Sequence, residues 1–154
     1  MQRVLFVCTG NTCRSPMAEA ILKNKQLPGV ETKSAGVFAA SGAAASPQSV
    51  QVMDENKIHH AHQSKPLAKD DVEWATVILA MTISHKQAIL GQHPVAAGKT
   101  YTLKEFAGEE GYPDVSDPFG GNVDFYRDTF AELDRLIEKA ARKLLEQENG
   151  NTTH

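Results

Sequence analysis

Five residues separate Cys8 from Arg14, and that short span is squeezed between the apolar run Val4-Leu5-Phe6-Val7 and the sequence Ser15-Pro16-Met17-Ala18-Glu19-Ala20-Ile21-Leu22. A strand must enter the span and a helix must leave it. Ser15 suits an N-cap, Pro16 suits the first helical position, and the residues beyond are helix formers. A loop of this length can wrap an anion with successive backbone N–H groups pointing inward, a thiol beneath and a guanidinium beside them. A cysteine at the mouth of a phosphate cradle suggests a phosphoenzyme mechanism.

The remaining pattern alternates strands and helices. Strands are expected over 3–7, 30–35, 76–80 and 99–103, and helices over 15–25, 47–56, 70–74, 83–90 and 123–147. Ser46 should cap the helix opened by Pro47, and Ala39 to Ser46 reads as a loop of small residues. Residues 59–66 read as irregular and Gly108 to Gly121 as a Gly/Pro/Asp-rich stretch. In the last helix Phe130, Leu133, Ile137, Ala140, Ala141 and Leu144 share one face. The pattern predicts one α/β domain over 1–148, a three-layer sandwich with a parallel sheet between helices, and a frayed tail over 149–154. Such sheets bind ligands beyond the carboxyl ends of their strands at a switch point, which is where the Cys8 loop emerges.

Composition narrows the class. A chain of 154 residues can bury a proper core, and its net charge of −3 offers nothing to nucleic acid. No apolar segment approaches membrane-spanning length, and a strand beginning near Arg3 leaves no room for a signal peptide. Two cysteines make no disulfide framework, so a reducing, cytoplasmic setting is expected. His59, His60, His62, His85 and His93 lack metal-ligand spacing. They read as solvated residues, and neither metal nor cofactor is expected.

The chemistry can be assigned residue by residue. Cys8 is the expected nucleophile, since the thiolate is the attacking form and loop N–H groups, a helix N-terminus and Arg14 all favour negative charge there. Arg14 is expected to clamp two phosphate oxygens. Gly10 permits a positive backbone torsion within Thr9-Gly10-Asn11-Thr12-Cys13, and Asn11 also tolerates the left-handed region and can tie the loop with its side chain. Ser15 is claimed by two roles, capping the helix and donating to the Cys8 sulfur. Cys13 is either inert packing or a reversible disulfide partner for Cys8 under oxidation. A proton donor for the leaving group is also needed, and Asp117 in Ser116-Asp117-Pro118-Phe119-Gly120-Gly121 is the candidate, with Asp114 its local competitor.

Taken together, Cys8-Thr9-Gly10-Asn11-Thr12-Cys13-Arg14-Ser15 and Asp117-Pro118-Phe119-Gly120 resemble the low-molecular-weight protein tyrosine phosphatase family, and Ser34-Ala35-Gly36 and Ile78-Leu79-Ala80-Met81 look like further family segments. The resemblance implies a four-stranded parallel sheet of flavodoxin-like topology, a cysteinyl-phosphate intermediate, no metal, and phosphorylated proteins as substrates. It implies Cys8 as nucleophile, Arg14 as phosphate ligand, Asp117 as general acid, and Asn11 and Ser15 as loop supports. The family's acidic residue after the third strand aligns loosely with Thr82, and His62 with a structural histidine. Tyrosine-specific members carry a bulky aliphatic residue at the position of Thr12 and consecutive tyrosines where this chain has Phe119-Gly120. Both features look instead like the bacterial protein-arginine-phosphatase branch. Thr12 leaves room beside a broad, polar phosphoguanidinium, and Phe119 could stack on its plane. Tyrosine phosphatase activity is the alternative. An arsenate-reductase-like relay would need cysteines after Cys13, and there are none. A phosphoryl carrier or phospho-residue binder would not need all of Cys8, Arg14 and Asp117.

Overall fold

The computed structural model describes residues 1–152, and of 148–152 the backbone alone. Seven residues, Gln2–Cys8, form β1, and every one but Arg3 is buried. A strand apolar on both faces belongs in the middle of a parallel sheet. β1 does lie there: β2 (Val30–Gly36), β3 (Val77–Ala80) and β4 (Thr100–Thr102) complete a sheet of order β2-β1-β3-β4 in which all pairings are parallel.

Alternation along β1 divides the core. Val4, Phe6 and Cys8 face one layer, formed by α1 (Arg14–Asn24), α2 (Pro47–Glu55) and α6 (Val123–Thr152). Leu5 and Val7 face the other, with Val72 of α3 (Lys69–Trp74) and Ile89 of α4 (Ile83–Gln92). The expected stripe on α6 is buried throughout, joined by Tyr126 and Leu136. Ser46 caps α2 as expected, accepting from the Ser49 N–H. Among the described residues no helix is long and apolar enough to cross a membrane.

Four local expectations need correcting. Helix α1 starts at Arg14, one residue early, with Cys13 in the cap position and no side-chain cap. Strand β4 is only three residues long, because Thr102 leaves it to cap an additional helix, α5 (Leu103–Phe106). Thr102 and Glu105 form a reciprocal capping box, so the backbone finds its partners in a helical turn. Pro94–Ala96 form a 3-10 turn within the expected loop. Helix α6 runs to Thr152 rather than ending at Gln147; of the tail expected to fray, Thr153 and His154 lie outside the described residues.

The sheet order makes β1 the switch point. Its neighbours β2 and β3 lie on opposite sides, so the chain leaves β1 over a crevice between diverging connections. Cys8 pairs with Gly36 at the carboxyl end of β2, and Val7 with Ala80 near that of β3.

Candidate active site

Thr9 to Cys13 bridge β1 and α1, and their path is set by one backbone torsion. Asn11 has φ +56°, the left-handed region, while Gly10 does not have a positive φ. The torsion expected of Gly10 falls to Asn11, which also ties the loop with its side chain as expected. The reason is hydrogen bonding: Asn11 is fully buried, and its amide donates to Ser15 Oγ at 2.8 Å and Ser34 Oγ at 3.0 Å. Its Oδ1 accepts from the Lys65 N–H at 3.0 Å, and its backbone carbonyl accepts from His62 Nε2 at 2.6 Å. Four bonds hold a conformation that Asn tolerates better than most residues.

The Ser15 hydroxyl is likewise spoken for. It does not cap α1. Its oxygen accepts from Asn11, which leaves its hydrogen free for the Cys8 sulfur 2.8 Å away. The relay runs further back, since the Ser34 hydroxyl donates to Glu19 Oε1 at 2.6 Å. Glu19 is buried, which opposes ionisation, but the approach of His60, the Lys23 ammonium and the Ser34 hydroxyl outweigh burial and hold its carboxyl at about 2. A fixed negative charge therefore orients two serines and an amide toward the sulfur.

Arg14, 5% exposed in its side chain, is anchored by donation from Nη1 to the Val115 carbonyl at 2.9 Å. Its Nη2 lies 3.5 Å from Asp117 Oδ2. Asp117 is 55% exposed and sits above the loop, with Oδ1 accepting from the Phe119 N–H at 3.0 Å. Solvent screens most of the attraction between these two charges, so the contact sets position more than stability. Asp114, the competitor, instead accepts from the Ile83 N–H and holds the start of α4. Thr82 caps the same helix by accepting from the His85 N–H. Cys8, Thr12, Arg14, Asp117 and Phe119 line one cavity of about 300 Å³, and Phe119 is 78% exposed. Cys13 is buried with its sulfur 3.4 Å from the Tyr126 hydroxyl, and both cysteines are free thiols.

Several supports escaped sequence reading. His85 Nε2 is hydrogen-bonded to Thr9 Oγ1 at 2.7 Å. Burial, reinforced by the nearby Arg14 charge, pulls the His85 imidazole down to about 4, so it is neutral at pH 7. Nothing near His85 in the chain announces this role. Ser34 is different: a serine alternating with charged residues on β2 faces the core and needs a partner, which it finds in Asn11 and Glu19, while Thr32 Oγ1 on the same face has none among the described residues. Gly36 is a third case. A Cβ there would stand 2.4 Å from the Thr9 carbonyl oxygen and 3.0 Å from the Asn11 nitrogen, so β2 and the loop can touch only through a glycine. Finally, the histidines of the 59–62 loop are not uniformly solvated. His59 is exposed, but the side chains of His60 and His62 are only 10% and 4% exposed and face Glu19. Glu19 lies on the inner face of α1, and both rings turn toward it.

This fold recurs among known proteins. A protein-arginine-phosphatase of Geobacillus stearothermophilus is 55% identical over 143 residues, covering 92% of this chain and 95% of that protein. The structure of the YwlE arginine phosphatase from Geobacillus stearothermophilus superposes with a TM-score of 0.93 at 52% identity, covering 97% of each chain. A YwlE variant with a phosphorylated active-site serine superposes with a TM-score of 0.86 at 44% identity, covering 93% of this chain and 95% of that one. The family model for low molecular weight phosphotyrosine protein phosphatases matches residues 3–152. A sulfur, a guanidinium and a carboxylate around one anion-sized loop are thus set in a familiar frame, and the chain belongs to the low molecular weight phosphotyrosine protein phosphatase family.

Proposed function

We propose that this protein is a protein phosphatase that removes phosphate from phosphoarginine in protein substrates. The observation that carries the reading is the convergence of Cys8, Arg14 and Asp117 on one cavity, with Thr12 and Phe119 in its wall. In the first step the Cys8 sulfur attacks phosphorus, an S–P bond forms and the P–N bond breaks. Asp117 gives its proton to the departing guanidine nitrogen. In the second step water attacks phosphorus, Asp117 takes a proton from it, and the S–P bond breaks to release phosphate. Arg14 and the loop N–H groups hold the equatorial oxygens throughout, where charge is greatest. Hydrogen bonding from Ser15 stabilises the sulfur as it leaves. The sequence of steps calls on no metal, and it needs Cys8 as a free thiol, which suits a reducing compartment such as the cytoplasm.

Phosphoarginine is preferred over phosphotyrosine on the evidence of Thr12, and two of the similar proteins are named as arginine phosphatases. A phosphoguanidinium carries several N–H donors beside the phosphorus. The Thr12 hydroxyl can accept from them where an aliphatic side chain could not, and the carbonyl oxygen of the protonated Asp117 carboxyl can accept as well. Phosphate release from phosphoarginine and phosphotyrosine peptides should favour the former, and Thr12→Ile should reverse or erase the preference. Asp117→Asn should lower kcat by roughly 10²–10⁴ with binding little changed. Turnover unaffected by Asp117→Asn would remove Asp117 from the acid role. A wild-type preference for phosphotyrosine would overturn the substrate assignment.

A further inference from the structure

Apart from the residues that line the Cys8 cavity, the ligand atoms of Glu19, His60 and His62 all lie within 4.8 Å of one another. They border a separate opening of about 160 Å³. His60 Nε2 is buried with no hydrogen-bond partner among the described residues and lies 3.4 Å from Glu19 Oε1. That contact is within electrostatic range, but its geometry is not that of a hydrogen bond. His60 Nε2 carries either a proton that this geometry leaves poorly bonded or a lone pair turned toward the carboxylate, and a metal ion between the two atoms would satisfy both.

His62 is prepared differently. Its Nε2 donates to the Asn11 carbonyl, which can only accept, so the lone pair is left on Nδ1. Nδ1 faces Glu19 Oε1 at 3.9 Å. A histidine that ligates a metal through one nitrogen while donating from the other to a backbone carbonyl is a standard arrangement.

We propose that Glu19, His60 and His62 form a binding site for a divalent cation of the zinc class, with a fourth position open to solvent. Two imidazoles and one carboxylate suit Zn²⁺ or Co²⁺ better than Mg²⁺ or Ca²⁺. In a tetrahedral zinc site, bond lengths near 2.1 Å put neighbouring ligand atoms about 3.4 Å apart. The His60–Glu19 pair is already at that distance, and the others must close by at most about 1.4 Å, taking the 4.8 Å limit. Ser34 uses one lone pair of Glu19 Oε1 and leaves the other.

Nearby cations decide the affinity. Lys33 sits over the Trp74 ring and Lys65 pairs with Asp71, so neither opposes the site directly. Lys23 does, with Nζ 2.7 Å from Glu19 Oε2. It is half-exposed and can withdraw to water. Because His62 holds Asn11, a bound ion fixes the ring that supports the left-handed turn of the phosphate loop, and it stabilises the folded chain by mass action.

The test uses the full chain without an affinity tag, carrying Cys8→Ser and Cys13→Ser so that thiols cannot compete. Titration with Co²⁺ should give one equivalent of tetrahedral d–d absorption, removed by Zn²⁺, together with a melting temperature that rises with metal concentration. His60→Ala in this background should weaken binding at least tenfold and abolish the thermal shift. Lys23→Gln, at a half-exposed position, should strengthen binding several-fold, and it decides the matter should His60→Ala fail to fold. Binding unchanged by either substitution overturns the proposal. So does a weak six-coordinate cobalt spectrum alone, since a proton then suffices between His60 and Glu19.

Discussion

Replacing Asn11 separates the two costs of the phosphate loop, backbone torsion and hydrogen bonding. A residue at φ +56° brings its Cβ against the following carbonyl, at about 1–2 kcal/mol for an ordinary L-residue. Asn11→Ala adds that strain and deletes three side-chain bonds. Ser15 and Ser34 retain Cys8 and Glu19 as partners, so their loss is roughly 1 kcal/mol together, and the stranded Lys65 N–H adds about 1 kcal/mol. The variant should be less stable by about 3 kcal/mol, a large part of a typical stability of roughly 5–15 kcal/mol. Asn11→Gly loses the same bonds without the strain, but its freer unfolded chain takes back about 0.4–1 kcal/mol. Glycine should therefore exceed alanine by roughly 0.5–1 kcal/mol, the reverse of their order in a helix. Urea unfolding with matched m-values reads the difference. Both variants should also turn over about tenfold more slowly, because Ser15 loses the partner that directs its hydrogen to the sulfur, worth about 1.4 kcal/mol in the barrier. Alanine equal to or more stable than glycine would refute the claim that torsion constrains this position.

Gly36→Ala should destabilise by about 2 kcal/mol and depress kcat, because the added Cβ meets backbone atoms of Thr9 and Asn11 that cannot swing aside. Gly91→Ala, within α4 and with open space around it, should instead add roughly 0.5–1 kcal/mol; equal melting temperatures for the two variants would count against the contact argument. His85 governs an acid transition. Its folded value of about 4 lies below the unfolded 6.5, so the unfolded chain takes up the proton first, and stability that is complete above 6.5 drains away as pH falls toward 4. The loss is about 2 kcal/mol after discounting for solvent screening, and His85→Gln should abolish it. Parallel pH-stability curves for wild type and His85→Gln would contradict the assignment. Glu19 acts in a lower window, its contribution intact above 4.5 and lost as pH falls toward about 2.

Local chemistry wrote much of this protein plainly into its sequence. The apolar run of β1, the Ser46-Pro47 start of α2 and the stripe on α6 each follow from rules that act over a few residues, and all three appear as expected. Cys8, Arg14 and Asp117 could be picked out as candidates because a short loop between a strand and a helix, and an acid followed by proline, have recognisable spacing, and the three do line one cavity. Short capped segments were harder. Helix α5 carried its Thr102-Glu105 box in view, but four residues of helix make little pattern.

What only the tertiary structure decided is which of two plausible partners each polar group takes. Ser15 could cap or donate, and burial beside Cys8 chose donation. Gly10 and Asn11 both permitted the left-handed turn, and the choice fell to Asn11 because Ser34, Lys65 and His62 arrive from 23 to 54 residues away to bind it. The histidines of the 59–62 loop look alike in sequence, yet a buried carboxylate on α1 separates His59 from the other two. Hydrogen bonding and desolvation depend on neighbours in space, and spacing along the chain carries no record of who those neighbours are.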